Sequence, residues 1–181
     1  DMVSDVANNP QFIADLKLLA QAGLELDTAN QTPALIKATL KVTDLVPNLR
    51  IVVDHLPQMN PPTEPAALKA YMAGLRELAK RPQVYFKVSE VLRKVDGKLQ
   101  TDPKFYKERL DMFWETFGPD KLLYGSDWPN SDNWAPYSQV FAIVRDYFMA
   151  KGQAAAEKFF WKNSIVAYKW VYRDPSQPKL A

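Results

Sequence analysis

Residues 50–55 read Arg-Ile-Val-Val-Asp-His, and this short stretch decides the fold class. Its three consecutive β-branched residues predict a strand that is buried on both faces, which is typical of parallel sheets. Three more strands are predicted over residues 24–28, 84–89 and 122–125, where apolar residues alternate with polar ones or form a short run. The four predicted strands begin about 26 to 37 residues apart, which leaves room for one helix in each interval.

Helical periodicity and proline boundaries predict helices before, between and after these strands. The first begins at Pro10, behind a capping Asn9, and stops near Gly23. The others are predicted over residues 33–46, 66–79, 102–117, 136–149 and 154–172. This alternation predicts a parallel sheet with right-handed crossovers and helices on its outer side. No linker or charge block divides the chain, so residues 1–181 are expected to form a single domain.

Two α/β architectures have this order of elements: a small doubly wound sheet and part of a (β/α)8 TIM barrel. A doubly wound sheet usually carries a glycine-rich turn after its first strand, but residues 27–32 contain no glycine. Polar residues gather instead at the carboxyl ends of the strands, where barrel enzymes hold their catalytic groups. The chain has 181 residues, fewer than the roughly 200 of a small complete barrel, so part of a barrel is predicted.

Composition excludes several classes of function. The formal charge is only +2, which is too small for binding of nucleic acid driven by phosphate attraction. Cysteine is absent, which excludes disulfides and thiol chemistry, and no apolar run is long enough to cross a membrane. Residues 1–10 lack the pattern of a signal peptide, so a cytoplasmic location is expected. Because the chain starts with Asp1 instead of methionine, a processed or truncated N-terminus is expected too.

The carboxyl ends of the four strands supply polar side chains that could meet at one mouth of a barrel. Imidazole suits zinc, a carboxylate can take a proton from water, and an ammonium group can hold an anionic substrate. Together these groups resemble half of a hydrolytic site, although a lone histidine is also common as a surface or core residue. The candidates are Asp27, His55, Lys87, Ser89 and Asp127.

Alternation along a strand predicts which residues share the face of the candidate site. If His55 points toward the mouth, Ile51 and Val53 point the same way. Asp54 then points to the opposite face, where it would cap or pair with a helix.

Several candidate residues also have structural interpretations. Lys87 is unexpected in a buried strand, and it could hold a substrate or form an ion pair with Glu25. Asp127 could activate water or cap the turn that follows it. Trp128 could cover a substrate or only pack under a loop. Arg93 could bind a substrate carboxylate or remain solvated.

Three motifs in order give the chain a resemblance to a known family. Residues 51–56 (Ile-Val-Val-Asp-His-Leu), 84–89 (Val-Tyr-Phe-Lys-Val-Ser) and 123–129 (Leu-Tyr-Gly-Ser-Asp-Trp-Pro) resemble the C-terminal half of an amidohydrolase-related protein. Residues 161–168 resemble the final helix of that family. The most similar branch is that of fuconolactonase-like and dicarboxylate-lactonase-like proteins.

The resemblance implies a (β/α)8 TIM barrel of the metal-dependent hydrolase type, of which this chain supplies about the last four βα units. It implies that Asp127 and His55 are catalytic and that both can touch a divalent metal, most typically zinc. Lys87 and Ser89 match the Lys-x-Ser pattern on the seventh strand of the family. Together with Arg93 and Trp128, the candidates from the residues themselves, they are predicted to bind substrate. The family's His-x-His pair is absent from the chain, and residues 24–30 lack a histidine, which favours a branch where metal dependence varies.

These observations predict hydrolysis of a sugar lactone or a carboxylated lactone, with water activated by Asp127 and the carbonyl polarised by His55. The alternatives are a metal-dependent nonoxidative decarboxylase and a non-catalytic half-barrel that acts in assembly. The expected partners are a small-molecule substrate and the N-terminal half of the barrel, from the same or a separate chain. Association of several copies is a further expectation, whereas nucleic acid and membranes are not expected partners.

Overall fold

A four-stranded parallel sheet forms the centre of the computed structural model, which describes residues 6–29, 32–56 and 61–177. The prediction of a parallel α/β fold is confirmed. A two-stranded antiparallel hairpin, β4 and β5, follows the third strand of the sheet. The strands are β1 (Glu25–Thr28), β2 (Arg50–Val53), β3 (Val84–Val88), β4 (Lys94–Val95), β5 (Lys98–Leu99) and β6 (Leu122–Tyr124). The sheet order is β1-β2-β3-β6, so its strands are neighbours in the order of the chain.

Besides a short 3-10 helix (Asn130–Asn133) and a π-helical turn (Lys158–Lys162), seven α-helices accompany the strands in the described residues. They are α1 (Pro10–Gln21), α2 (Pro33–Leu45), α3 (Pro65–Lys80), α4 (Pro103–Phe117), α5 (Tyr137–Ala150), α6 (Gln153–Glu157) and α7 (Asn163–Tyr168). The first four begin with proline, and the preceding side chain accepts a hydrogen bond from a backbone N–H in the first turn. None of the described helices is both long and apolar enough to span a membrane.

The sheet has an outer face covered by helices and an inner face covered partly by α7. On the outer face, Ile51, Val53 and Phe86 belong to the main core, together with residues from the helices. On the inner face, Val52 packs in a small cluster with Ala167 of α7 and its neighbours. The prediction that Ile51 and Val53 point toward the mouth with His55 is therefore wrong, because they face the helices.

The chain departs from the predicted element boundaries at two places. The last helix ends at Tyr168 and not near residue 172, because Lys169 adopts left-handed backbone with φ of 47°. Within the predicted span, residues 158–162 form a π-helical turn. The turn signal at Asp96 and Gly97 belongs to the β4–β5 hairpin, whose strands were not predicted. Residues 1–5, on which the N-terminal expectation rests, lie outside the described residues.

We predict that Phe86→Ala lowers the free energy of unfolding by about 3–5 kcal/mol, because it leaves a cavity in the outer core. The Phe86 side chain is fully buried, and its ring stacks on Phe117 with centroids 3.8 Å apart. Urea unfolding followed by circular dichroism measures the change. The control is Phe105→Ala on α4, where the ring is 45% exposed and the expected loss is about 1 kcal/mol or less. Equal losses in the two variants would contradict this packing.

Candidate active site at the carboxyl ends of the strands

Three residues that follow strands of the sheet adopt left-handed backbone, although none of them is glycine. They are His55 after β2, Glu90 after β3 and Asp127 after β6, with φ of 56°, 55° and 55°. This conformation costs an L-residue about 1–2 kcal/mol, and such residues concentrate at functional sites. The left-handed residue also ends the alternation of side chains along the strand. Side chains beyond it therefore need not lie on the faces predicted for them.

The imidazole of His55 is held by the residues that end β3. The backbone N–H of His55 donates to Ser89 Oγ at 3.3 Å, and the same oxygen lies 2.9 Å from Nδ1 of the ring. Glu90 Oε2 lies 3.9 Å from Nδ1. Ser89 is 1% exposed, so its hydroxyl is a fixed partner that positions the ring.

Asp127 lies near the same group of residues. Its carboxylate lines a cavity of about 50 Å³ together with Glu90, and Asn130 Nδ2 donates to Asp127 Oδ1 at 3.4 Å. Burial raises the pKa of the Glu90 carboxyl, the neighbouring His55 lowers it, and the charge of Asp127 raises it. Glu90 is therefore close enough to both His55 and Asp127 to interact with each. We call His55, Ser89, Glu90 and Asp127 the carboxyl-end cluster.

A second polar group occupies the inner face of the sheet, and we call Asp27, Asp54 and Lys87 the inner ion cluster. Lys87 Nζ lies 2.7 Å from Asp54 Oδ1 and 3.1 Å from Asp27 Oδ2. Burial alone would lower the pKa of Lys87, but its contacts with Asp54 and Tyr168 outweigh this, and the pKa is raised. Tyr168 donates from its hydroxyl to Asp27 Oδ2 at 3.0 Å, and burial raises the pKa of that hydroxyl to about 12.

The inner ion cluster corrects two predictions, the face of Asp54 and the ion-pair partner of Lys87. Asp54 was expected on the face opposite the site, but it contacts Lys87 on the inner face. Lys87 does form an ion pair, with the aspartates and not with Glu25, which lies 3.5 Å from Arg50. The reason is the register of the sheet, which places Asp27, at the end of β1, beside β2 and within reach of Lys87.

Gly125 is required for the side chains of β3 to pass the next strand. A Cβ at this position would lie 2.7 Å from Cβ of Ser89 and 2.8 Å from Cδ of Lys87, which is closer than side-chain carbons can approach. The Gly in the Gly-Ser-Asp-Trp-Pro motif therefore has a packing function. It lets Ser89 and Lys87 both lie over the inner face near the end of β6.

Two predicted substrate-binding residues border the carboxyl-end cluster, Trp128 next to Asp127 and Arg93 at the backbone of Glu90. Trp128 is 64% exposed, and its ring N–H donates to Asp132 Oδ2 at 2.8 Å. Arg93 donates to the backbone carbonyls of Glu90 at 3.3 Å and Leu92 at 2.8 Å. Its side chain lines a separate cavity of about 630 Å³, between α3, α4 and the hairpin. Substrate binding by these residues and by Lys87 and Ser89 stays a prediction.

Glu90 is the member of the cluster that the sequence reasoning missed. It directly follows Ser89, and an acidic residue at a strand exit is the signal that could have identified it. The side chain is 42% exposed, so it lies at the surface of the cluster and not in the core.

The described residues were also tested for a fit to a divalent metal. Within residues 6–29, 32–56 and 61–177, no group of three or more histidines and carboxylates is arranged to hold an ion. Nδ1 of His55 is already engaged by Ser89. These residues alone therefore do not form a complete metal site, and the roles of His55 and Asp127 as metal ligands stay predictions.

Comparison with known proteins connects this arrangement with a family of hydrolases. Residues 14–170 match the family described as Amidohydrolase. The chain is 33% identical to the L-fucono-1,5-lactonase of Burkholderia multivorans over 117 residues. This match covers 63% of this chain and 39% of that protein. The resemblance stated for the sequence is confirmed. The chain spans about two fifths of the length of this lactonase relative.

Solved structures of amidohydrolases confirm the predicted α/β fold of the barrel type. Amidohydrolase 2 from Bifidobacterium longum subsp. infantis superposes with a TM-score of 0.68 at 28% identity, over 90% of this chain and 56% of that chain. An amidohydrolase from Burkholderia multivorans with bound Zn has a TM-score of 0.76 at 23% identity, over 92% of this chain and 60% of that one. At this lower identity, the second comparison supports the fold alone.

We predict that Lys87→Met lowers the free energy of unfolding by about 2–4 kcal/mol, because it leaves Asp27 and Asp54 without their shared cation. The lower end of this range allows for solvent screening, since the Lys87 side chain is 20% exposed. Urea unfolding measures the loss. The matched control is Lys104→Met, at an exposed position on α4. A loss no larger than that of the control would contradict a stabilising role of the inner ion cluster.

Proposed function

Because the chain belongs to the amidohydrolase family, we propose that its carboxyl-end cluster works in the hydrolysis of a lactone. The observation that carries the proposal is the arrangement of His55 and Asp127. Both residues leave their strands through left-handed backbone, and both interact with Glu90. An imidazole and a carboxylate held near one another can divide the proton transfers of an acyl hydrolysis between them.

In the proposed reaction, Asp127 accepts a proton from water while the water oxygen bonds to the lactone carbonyl carbon. The bond between that carbon and the ring oxygen then breaks. Asp127 returns the proton to the alkoxide that leaves, which yields an open-chain hydroxy acid. Proton balance is complete within these steps, and no further reactant is needed.

The role of His55 depends on which ring nitrogen carries the proton. A neutral ring protonated on Nε2 would donate a hydrogen bond to the carbonyl oxygen and polarise it, as the family resemblance implies. A neutral ring protonated on Nδ1 would instead accept a hydrogen bond at Nε2 and orient the attacking water.

The substrate class proposed is a sugar lactone or a related carboxylated lactone. Support comes from the 33% identity with an L-fucono-1,5-lactonase. The exposed Trp128 ring beside Asp127 offers an apolar face of the kind on which sugar rings pack. Lys87 is already neutralised by two aspartates, so Arg93 is the better candidate for holding a substrate carboxylate.

A divalent metal would need at least one ligand from beyond the residues described here. The proposed proton transfers use the chain's own groups.

We further propose that the sheet is completed by the N-terminal half of a barrel, in the same or a separate chain. Within the described residues, β1 and β6 each pair on one side only, and unpaired sheet edges favour association. The chain also covers only 56% and 60% of two solved relatives.

The 181-residue chain alone is expected to associate, with a mass by light scattering of at least twice its 20.6 kDa. Leu24→Lys, at a 52% exposed position that precedes edge strand β1, should reduce association, because edge charges oppose strand pairing. Val95→Lys on the hairpin is the control and should leave the mass unchanged. A stable monomer of the unmodified chain would contradict the incomplete sheet.

Asp127→Asn in the complete protein that contains this chain should lower the rate of L-fucono-1,5-lactone hydrolysis about 10²-fold or more, because the amide cannot accept the proton from water. Ring opening is followed by pH-indicator assay and product analysis. The matched control, Asp146→Asn on the exposed side of α5, should keep the full rate. Unchanged hydrolysis by Asp127→Asn would remove Asp127 from the mechanism, and release of carbon dioxide would favour the decarboxylase alternative.

A further inference from the structure

We propose that Glu90 is a positioning residue that selects the neutral tautomer of His55 with the proton on Nδ1. This inference deepens the proposed function, on which its catalytic meaning rests, because it makes Nε2 of His55 an acceptor. His55 then orients the attacking water beside Asp127 and does not polarise the carbonyl by donating a hydrogen bond.

Ser89 fixes the position of the ring but leaves its tautomer open. Its Oγ accepts a hydrogen bond from the backbone N–H of His55 at 3.3 Å. The same hydroxyl, 2.9 Å from Nδ1, can either accept a second hydrogen bond from Nδ1–H or donate its own proton to a bare Nδ1. The geometry at Ser89 therefore permits both tautomers, so another group must stabilise one of them over the other.

The Glu90 carboxylate lies where it can stabilise a proton on Nδ1 of His55. Its Oε2 lies 3.9 Å from Nδ1, which is too far for a hydrogen bond but near enough for a strong electrostatic interaction. A carboxylate beside Nδ1 favours a positive N–H dipole there and disfavours a lone pair. With the proton on Nδ1, Ser89 accepts from the ring, and Nε2 is left with its lone pair.

The backbone at Glu90 supports a positioning role. Its φ of 55° lies in the region that glycine and asparagine adopt most readily, yet a longer acidic residue occupies the position. The Arg93 guanidinium is bonded to the backbone carbonyl of Glu90 at 3.3 Å, so this contact does not depend on the carboxylate. Replacing the carboxylate by an amide therefore changes the charge near His55 and removes the electrostatic attraction to the Arg93 guanidinium, while the backbone contact stays intact.

The single histidine of the chain makes a direct test possible, because only one imidazole contributes to the ring signals. Nitrogen-15 NMR of the labelled 181-residue chain reports whether each ring nitrogen carries a proton, at a pH where the ring is neutral. The unmodified chain should show a protonated Nδ1 and a bare Nε2. Glu90→Gln should shift the tautomer ratio toward Nε2–H by about fivefold or more. Glu108→Gln, an exposed acid-to-amide change on α4, should leave the ratio unchanged.

A bare Nδ1 in the unmodified chain, or the same ratio in Glu90→Gln, would overturn the inference. Glu90→Asn is a second test, because asparagine adopts left-handed backbone readily. It should shift the tautomer ratio toward Nε2–H as well. Because the tautomer is measured without substrate, these results do not depend on lactone hydrolysis. If the complete protein does not hydrolyse lactones but Glu90→Gln still shifts the tautomer ratio, the proposed function is rejected and the tautomer assignment stands.

Discussion

Left-handed backbone at the ends of β2, β3 and β6 brings the proposed active-site side chains together. A regular strand would direct alternate residues to opposite faces, and His55 would follow Val53 toward the helices. The left-handed backbone conformation of His55 ends that alternation. Its ring therefore reaches Ser89 on the inner side of the sheet, after β3. Similar changes at Glu90 and Asp127 place two carboxylates in the same region. This clustering is maintained against the conformational preference of all three residues, so the rest of the fold must stabilise it.

The inner face of the sheet provides part of that stabilisation. Lys87 on β3 and Ser89 directly after that strand extend over the same face, where Gly125 leaves space for both. Lys87 is held by Asp27 near the end of β1 and by Asp54 after β2, and Ser89 is held by His55. Hydrogen bonds and ion pairs thereby connect a polar layer from strand to strand next to the carboxyl ends. The proposed active-site residues lie on this layer.

Much of the fold could be predicted from the sequence, because its signals are local. The β-branched run at 50–55 and the proline boundaries of the helices marked the elements correctly. The convergence of polar residues at strand ends also placed His55 near Ser89. Residue faces beyond Val53 could not be predicted, since the alternation rule holds only while the strand continues. Asp54 was therefore assigned to the wrong face. Glu90 was overlooked although an acidic residue at a strand exit is a signal, because its side chain reaches the cluster through left-handed backbone.

The central claim is that the His55 ring and the Asp127 carboxylate act on one small molecule. A crystal structure of the complete protein with a non-hydrolysable analogue of a sugar lactone tests this most directly. The account predicts that both side chains lie within hydrogen-bonding distance of the analogue, directly or through one shared water. An analogue bound at another surface, or contacts with only one of the two groups, would contradict it.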